Sequence, residues 1–497
     1  MDTEAQVIAW LAREGEPAYL VGGWVRDRLM GRPSYDVDVA VDGDGLALAR
    51  KLADRLGGQY YPLDAERGAG RAILEAGRVV VDVARLRGPD LAADLASRDF
   101  TVNAMAACVQ TPETVIDHHG GLADLAEGII RPVSGDSIRN DPLRALRAVR
   151  LAAELGFALA PRTETLMQRD GPGLDAVSRE RVRDELARLL SQPDASHWLR
   201  RLEGLGLLSV LFPELAPLRG MEQSPPHHLT GLDHSLAAVD ALEAIVAAID
   251  AGEGTQSAAS PSPYPLPKPF LAPYGPRIRE HLGQEMGFGR ARLVILKLAA
   301  LLHDTGKPAT RTVEPPAVEG EDQPGRIRFF GHHAQGADLA AEALTRLRFN
   351  RDEVRLARTI VQHHMRPLLL ADLPAVSSRA VYRFFRDTGD AGVDVLLHAL
   401  ADHLAIYAPG QDDGRWPRLL ALTGRMLADY WDHRPQRVAP PQLIGGHDLL
   451  ETFRLEPGPQ IGELLEMVRE AQVSGEVHSR EEALALVRQH LAVEGSK

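Results

Sequence analysis

The chain has 497 residues, enough for about three or four domains and a large hydrophobic core. Its net charge of −13 argues against a protein that binds nucleic acid over its whole surface. Cys108 is the single cysteine, which excludes a disulfide within the chain and a cysteine zinc site. The sequence begins without the pattern of a secretory signal, and no apolar run reaches membrane-spanning length. We therefore expect a cytoplasmic protein that does not enter a membrane.

Residues 1–135 mix short β-rich runs with helical stretches, a pattern typical of an α/β domain. Asp36 and Asp38 alternate on a predicted strand, so both carboxylates point to the same side. Carboxylates this close need a cation between them, and Mg²⁺ prefers oxygen ligands while leaving positions free for substrate phosphates. Gly22 and Gly23 precede them and let backbone N–H groups approach a triphosphate closely. The combination predicts a metal-dependent nucleotidyl-transfer site; the alternative is an acidic strand end beside a turn.

A further aspartate, Asp82, lies in the apolar run 79–83, which predicts another strand. It is a candidate third carboxylate of the metal site, and an ordinary aspartate at a strand end is the alternative. From about residue 136 onward, apolar residues recur at helical spacing. Residues 139–201 hold 12 arginines against 9 acidic residues, so this stretch is positive in an acidic chain. We expect a polyanion to dock there, and a solvated helical surface is the alternative.

Five motifs follow one another between residues 18 and 215. They are Val-Gly-Gly-Trp-Val-Arg-Asp at 21–27 with Asp-Val-Asp at 36–38, Arg-Asp-Phe-Thr-Val-Asn-Ala at 98–104, Asp-His-His-Gly-Gly at 117–121, Asp-Pro-Leu-Arg-Ala-Leu-Arg-Ala-Val-Arg at 141–150 and Glu-Arg-Val-Arg-Asp-Glu-Leu at 180–186. In this order they resemble the class II tRNA nucleotidyltransferase and bacterial poly(A) polymerase family, of the CCA-adding enzyme type. The resemblance implies a polymerase-β-like head in which Asp36 and Asp38 are catalytic and hold two Mg²⁺ ions.

The resemblance also implies how the nucleotide is bound. Asp141 and Arg144 stand at i and i+3, which predicts one face of a helix. A carboxylate and a guanidinium there can read the Watson–Crick edge of C or A, and an intrahelical salt bridge is the alternative. Asn103 contacts the sugar or holds a turn. The predicted nucleotide-binding residues are Gly22, Gly23, Arg26, Arg98, Asn103, Asp141, Arg144, Arg147 and Arg150.

The chain departs from the family's pattern at three places. Asn140 stands where the family usually has Glu, and His118 and His119 stand where Pro-Phe is common. Only residues 84–97 join the Asp82 strand to Arg98, whereas many CCA-adding members have a longer flexible loop there that helps the switch from CTP to ATP. This short segment argues against addition of the terminal A.

The second half of the chain is rich in histidine, with nine of the 18 histidines between His227 and His364. His303 and Asp304 follow an apolar helical run, and imidazole with carboxylate suits a divalent transition metal or Mg²⁺. The run resembles the HD-domain phosphohydrolase superfamily. That resemblance implies a metal set of His234, His303, Asp304 and Asp402, with His333 and His364 as ligands of a second metal.

The predicted architecture is α+β: a nucleotidyltransferase head at 1–135, a helical neck and body at 136–220, an HD domain at 221–430 with low-complexity insertions 251–276 and 315–325, and a helical tail at 431–497. The predicted function is addition of C, A or both to the 3′ end of tRNA or another RNA, from CTP and ATP. Alternatives are poly(A) synthesis, CC-only or A-only addition, a phosphohydrolase whose head only binds nucleotides, and a non-catalytic RNA-binding protein.

Overall fold

A computed structural model describes residues 3–250, 271–314, 325–408, 411 and 414–494. The chain forms two compact units: residues 1–192 with 201–211, and residues 193–200 with 212–497. The predicted α+β fold is confirmed, because the first unit contains a mixed sheet and the second is largely helical. The insertions predicted at 251–276 and 315–325 lie outside the described residues, apart from 271–276 and 325. The finer division into four domains stays a prediction.

A seven-stranded sheet organises the first unit, with strand order β3-β4-β5-β2-β1-β6-β7. Its strands are β1 Ala18–Val21, β2 Asp36–Val41, β3 Gln59–Asp64, β4 Ala69–Leu74, β5 Val79–Arg85, β6 Met105–Cys108 and β7 Val115–Asp117. β2 and β5 run parallel, and the other neighbouring pairs in this sheet are antiparallel.

Alternation along β2 and β5 decides which residues reach the open face of the sheet. Val37 and Val39 of β2 and Val81 of β5 are at most 2% exposed and belong to the core that packs against the helix Gly45–Leu56. The residues between them point to the opposite face. Asp38 pairs with Asp82 in register, so both carboxylates lie side by side on that face.

Both units contain α-helices. Those of the first unit are Thr3–Leu11, Gly23–Leu29, Gly45–Leu56, Leu91–Ala96, Gly121–Glu127, Ser137–Asn140, Leu143–Leu155, Pro161–Asp170, Arg179–Leu190 and Leu208–Leu211, with the short strands Ile129–Ile130 and Ala158–Leu159. By this division the chain passes from one unit to the other after residues 192, 200 and 211, and the second of these points lies within the helix Ala195–Gly204.

The second unit is built around two helices that are buried along most of their length, Arg292–Leu302 and Gly392–Ile406. Its other helices are Gly231–Asp250, Gly275–Gly283, His332–Arg346, Arg351–His363, Arg366–Ala371, Ser378–Thr388, Trp416–Trp431, Arg434–Arg437, Gly446–Phe453, Pro459–Val473 and Arg480–Glu494. Two hairpins pair Glu285–Gly287 with Arg290–Ala291 and Arg311–Glu314 with Arg326–Phe329. Within the described ranges, no helix has the length and apolar character needed to cross a membrane.

Candidate active site and metal centre

The two predicted catalytic aspartates lie at the start of β2 and line a cavity of about 580 Å³ in the first unit. Burial raises the pKa of Asp38 to about 6; Asp82 and Asp36 act in the same direction, and Arg98 acts against them. Asp38 is half-buried, and a half-buried carboxylate beside a second carboxylate is costly to ionise without a cation. The all-oxygen donor set at this position therefore fits Mg²⁺.

Gly22 lies between the catalytic pair and Arg98. Its φ is 71°, and a Cβ built there would lie 3.0 Å from Nη1 of Arg98 and 3.1 Å from Oδ2 of Asp38. Only glycine lets the guanidinium and the carboxylate approach the backbone this closely. Arg98 also pairs with Asp94 at 2.9 Å, and the predicted binding of phosphates by Gly22 and Arg98 stays a prediction.

Asp82 lies beside the catalytic pair, but its carboxylate is already occupied by an arginine. Arg71 of β4 donates to both carboxylate oxygens of Asp82, at 2.7 and 2.8 Å. Asp82 does not line the catalytic cavity, whereas Asp36 and Asp38 do. A role as third metal ligand therefore stays a prediction, and it would require Asp82 to leave Arg71.

Asn103 belongs to a chain of hydrogen bonds at the edge of the catalytic cavity. Its side-chain oxygen accepts from Nη1 of Arg26 at 2.6 Å, and its amide donates to Asp99 at 3.1 Å. Asp99 in turn pairs with Arg147 at 3.2 Å. Burial favours the neutral form of Asp99, but Arg147 and these hydrogen bonds lower its pKa. Of the two predicted roles of Asn103, these contacts favour holding the turn.

Arg147 and Arg150 are both bound to Glu185, a residue of the fifth motif to which the sequence assigned no role. Arg147 donates to one carboxylate oxygen of Glu185 at 2.8 Å, and Arg150 donates to the other. Arg150 also pairs with Glu154. Nε and Nη1 of each arginine are engaged in this way, and both side chains line the catalytic cavity. Their role as nucleotide ligands stays a prediction.

The predicted placement of Asp141 and Arg144 on one helix face is wrong. Asp141 precedes Pro142 and is extended, with φ −147° and ψ 96°, and the helix begins only at Leu143. A residue before proline is driven out of the helical region by steric conflict with the proline ring.

The two side chains also form no salt bridge with each other, so the alternative interpretation is wrong as well. Asp141 pairs with Arg181 at 2.7 Å. Arg144 donates to the carbonyl oxygens of Ser97 at 2.8 Å and Arg98 at 3.1 Å. Its Nε–H is buried and finds no acceptor among the described residues. A buried donor without a partner is costly, so this N–H is suited to a ligand such as a base.

A second cavity of about 630 Å³ adjoins the first and shares Arg147 with it. It is rich in arginine and contains one carboxylate. Its walls are formed by Arg67, Arg87, Asn140, Asp141, Pro142, Arg144, Arg147, Ala176, Val177, Ser178 and Arg181.

The third motif forms a tight turn despite His118 and His119. Asp117 accepts backbone N–H groups of His119 at 3.1 Å, Gly121 at 2.9 Å and Leu122 at 2.9 Å. Burial opposes ionisation, but these hydrogen bonds lower the pKa of Asp117. The turn therefore depends on Asp117 and not on the residue types at 118 and 119.

The predicted HD ligands converge in the second unit. Nε2 of His234 lies 2.9 Å from Asp402 and 3.6 Å from Asp304, and Nε2 of His303 lies 3.2 Å from Asp304 and 3.5 Å from Asp402. All four residues are at most 4% exposed. Burial would lower the pKa of His303, but the two carboxylates raise it to about 10.

His332, and not the predicted His333, belongs to this cluster. Asp304, His332 and His364 offer ligand atoms within 4.8 Å of one another, as do His303, His364 and Asp402. Among the described residues, His333 contacts the ring of His332 and forms no hydrogen bond or ion pair. Neighbouring residues of a helix point about 100° apart, so only one of the pair can face the centre.

Sequence reasoning missed two further histidines of this cluster. His227 stacks edge-on against His234 with ring centroids 5.2 Å apart, and His398 approaches His303 at 4.9 Å. His398 stands one helical turn before Asp402, and this spacing could have indicated it.

The donor chemistry of the cluster fits a divalent metal. Nitrogen and carboxylate oxygen atoms converge from several elements of the second unit. Nε2 of His303 is buried and has no hydrogen-bond partner among the residues described. Mixed imidazole and carboxylate ligands favour transition metals such as Mn²⁺, Fe²⁺ or Ni²⁺.

Four family models match separate parts of the chain. Residues 18–131 match the poly A polymerase head domain, 156–218 match the probable RNA and SrmB-binding site of polymerase A, 276–406 match the HD domain, and 438–487 match tRNA nucleotidyltransferase domain 2.

Two curated relatives are similar over nearly the whole chain. An A-adding tRNA nucleotidyltransferase of Deinococcus radiodurans is 36% identical and covers 95% of both chains. A CC-adding tRNA nucleotidyltransferase of Thermus thermophilus is 35% identical, over 95% of this chain and 93% of the relative. The solved CCA-adding enzyme of Thermotoga maritima in complex with tRNA shares the fold, with a TM-score of 0.60, 21% identity, and coverage of 99% and 96%.

The fold and the cavity that contains Asp36 and Asp38 define a nucleotidyltransferase head, which this chain combines with an HD domain that implies a second divalent-metal site. The chain belongs to the class II tRNA nucleotidyltransferase family, the enzymes that add nucleotides of the CCA end.

Proposed function

We propose that this enzyme adds the C residues of the CCA end to tRNA from CTP and does not add the terminal A. The observation that carries the proposal is the segment between β5 and Arg98, which is short and packed. Leu86 donates its N–H to Val41 at 2.9 Å, and Leu86 and Leu95 are buried against β1, β2 and β6. The helix Leu91–Ala96, capped by Asp90, occupies most of the remainder. Such a packed segment has little freedom to change its conformation when the site would have to switch from CTP to ATP.

The same segment fixes the arginine that is assigned to the base. Arg144 is hydrogen-bonded to the carbonyl oxygens of Ser97 and Arg98 and to Oγ of Ser137. The Watson–Crick edges of C and A present their hydrogen-bond donors and acceptors in different places. A site that reads both bases must therefore move its own donors and acceptors. A fixed arginine favours a single base, and the family contains single-base members of both kinds, the CC-adding relative of Thermus thermophilus and the A-adding relative of Deinococcus radiodurans. The short segment before Arg98 favours the CC-adding kind.

In the proposed reaction, the 3′-hydroxyl oxygen of the RNA attacks the α-phosphorus of CTP, and the bond to the β-phosphate breaks. The products are an RNA longer by one nucleotide, pyrophosphate and a proton. Asp36 and Asp38 would hold Mg²⁺, whose charge supports deprotonation of the hydroxyl and stabilises the leaving pyrophosphate. Arg98 would bind the triphosphate, while Asp141 and Arg144 would contact the edge of the base. The free thiol of Cys108 fits the reducing cytoplasm in which we expect this reaction.

Single-nucleotide assays test this proposal. Three tRNA transcripts, ending before CCA, after the first C and after the second C, are each incubated with CTP, with ATP and with both. We expect two additions from CTP on the first transcript, one on the second, and none from ATP on the third. Addition of A to the third transcript would overturn CC-specificity but leave the family activity intact.

A second candidate activity is phosphoester hydrolysis at the HD cluster. A cavity of about 480 Å³ opens onto Asp304, Asp402 and His364. Lys307 also lines it and pairs with Asp304 at 2.5 Å, so a phosphate would reach this cation beside the proposed metal ligand. The test is hydrolysis of p-nitrophenyl phosphate and bis(p-nitrophenyl) phosphate with Mn²⁺, Co²⁺, Ni²⁺ or Mg²⁺. Activity that is lost in His303→Ala would support the assignment, and equal activity of the two proteins would refute it.

A further inference from the structure

The second cavity of the first unit, which we call the basic cavity, is lined by five arginines and by one carboxylate, that of Asp141. Its positive charge therefore exceeds what this carboxylate can balance. Three of its five arginines are engaged within the protein. Arg181 pairs with Asp141, Arg147 pairs with Asp99 and Glu185, and Arg144 is bound by carbonyl oxygens.

Arg67 and Arg87 are the two arginines that remain available. Arg87 is exposed, and its side chain forms no hydrogen bond or ion pair within the part of the chain that the structure describes. Arg67 is 76% exposed on its side chain and has one loose contact, 3.5 Å from Asp64. In a chain of net charge −13, these two guanidinium groups form a local site for an anion.

Both arginines lie on turns whose backbone is fixed. The N–H of Arg87 donates to Asp94 at 3.0 Å, and the N–H of Arg67 donates to Asp64 at 3.0 Å. The residue after each is a glycine with positive φ, 60° at Gly68 and 100° at Gly88. Only the side chains must therefore be ordered when an anion binds, which keeps the entropic cost low.

We propose that Arg67 and Arg87 bind backbone phosphates of the RNA 3′ end as it enters the active site. The basic cavity shares Arg147 with the catalytic cavity, so an RNA strand can pass from one to the other. Pro142, Ala176 and Val177 give this cavity an apolar side for a ribose or a base. The protein surface that binds RNA would then include the head as well as the region 156–218, which matches the probable RNA and SrmB-binding site of polymerase A. The inference rests on RNA-end addition and holds whichever nucleotides of the CCA end are added.

The experiment compares Arg67→Gln, Arg87→Gln and the double variant with Arg55→Gln. Arg55 is an exposed arginine at the end of the helix Gly45–Leu56, outside both cavities, so its variant removes the same charge elsewhere on the head. Binding of a tRNA that ends before CCA is measured with the full chain at several salt concentrations and without nucleotide. KM values for tRNA and for CTP are measured separately.

We expect each cavity variant to bind tRNA about three- to tenfold more weakly than Arg55→Gln. The plot of log affinity against log salt should become less steep by roughly 0.7 for each arginine removed, and the KM for CTP should not change. Affinity and salt dependence equal to those of Arg55→Gln would overturn the proposal. A raised KM for CTP with unchanged tRNA binding would also overturn it, because the cavity would then hold the triphosphate.

Discussion

Nη2 of Arg144 donates a hydrogen bond of 2.8 Å to the carbonyl oxygen of Ser97, the residue immediately before Arg98. The carbonyl oxygen of Arg98 accepts a second bond from Arg144, while the side chain of Arg98 reaches Gly22 beside Asp38. A single short stretch of backbone thus connects the arginine assigned to the base with the catalytic carboxylates. A change in the position of Arg144 would be transmitted to the metal site through this stretch.

Replacing Arg144 by lysine should weaken discrimination between nucleotides more than it slows transfer. Lysine keeps the charge but lacks the planar set of donors that holds Arg144 to two carbonyl oxygens and leaves Nε free for a base. We expect a loss of about 1–3 kcal/mol in the preference for CTP over other nucleotides. The measurement is kcat/KM for each of the four nucleotides with a tRNA that ends before CCA.

The control for this prediction is Arg139→Lys, because Arg139 is an exposed arginine that pairs with Asp136 outside both cavities. If both variants use the four nucleotides in the same proportions, Arg144 only holds the backbone.

Glu185→Gln should destabilise the first unit, because Glu185 binds two arginines and is 6% exposed. Removing one partner of a buried ion pair leaves the other charges poorly compensated, at a cost of about 2–4 kcal/mol in the free energy of unfolding. The neighbouring Asp184→Asn is the control, since Asp184 pairs with Arg183 and is half exposed. Urea unfolding followed by circular dichroism compares the two, and equal midpoints would contradict the prediction.

The shared face of Asp36 and Asp38 was predictable from sequence because the period of a strand is two residues. The same reasoning failed for Asp141 and Arg144. Their spacing fits a helix, but Pro142 forces Asp141 into an extended conformation and the helix begins after it. The proline was visible in the sequence and carried the necessary information.

Other parts of the site depend on contacts between distant segments. Glu185 meets Arg147 and Arg150 only because the helix Arg179–Leu190 packs against Leu143–Leu155, which no local pattern specifies. The choice between His332 and His333 likewise depends on the rotation of one helix about its axis. The spacing of a motif identifies the helix that supplies a ligand but not which of two adjacent residues faces the centre.

Asp38→Asn should abolish nucleotide addition and, in the metal-free protein, remove a pH dependence of stability. The pKa of Asp38 is about 6 in the folded protein against 3.8 for an ordinary aspartate, so the folded state binds the proton more tightly. The stability of the wild type therefore falls as the pH rises through this window, by roughly 3 kcal/mol in total. Asparagine resembles the protonated form and should not show this loss.

Thermal unfolding in EDTA between pH 5 and 7.5 measures this difference. The stability advantage of Asp38→Asn over the wild type should increase with pH, and added Mg²⁺ should stabilise the wild type more than the variant. An advantage that does not change with pH would contradict the assigned burial of Asp38.

The head and the HD cluster should be separable by mutation, because their ligands lie in different compact units and differ in chemistry. His303→Ala removes an imidazole that two buried carboxylates surround, so the variant should lose most of its affinity for transition metal. Any metal-dependent phosphoesterase activity should disappear with it. Asp304→Ala should give the same result.

Nucleotide addition, which we assign to Asp36 and Asp38 with Mg²⁺, should remain close to the wild-type rate in these variants. Metal content by mass spectrometry and both activities are measured on the same preparations, with Arg55→Gln as a variant remote from both centres. Full retention of transition metal by His303→Ala would show that the HD residues do not hold it. No residue of the HD cluster lines the cavity that contains Asp36 and Asp38. A loss of nucleotide addition in a folded variant would therefore show that the HD cluster influences the head from a distance, and that the two activities are coupled.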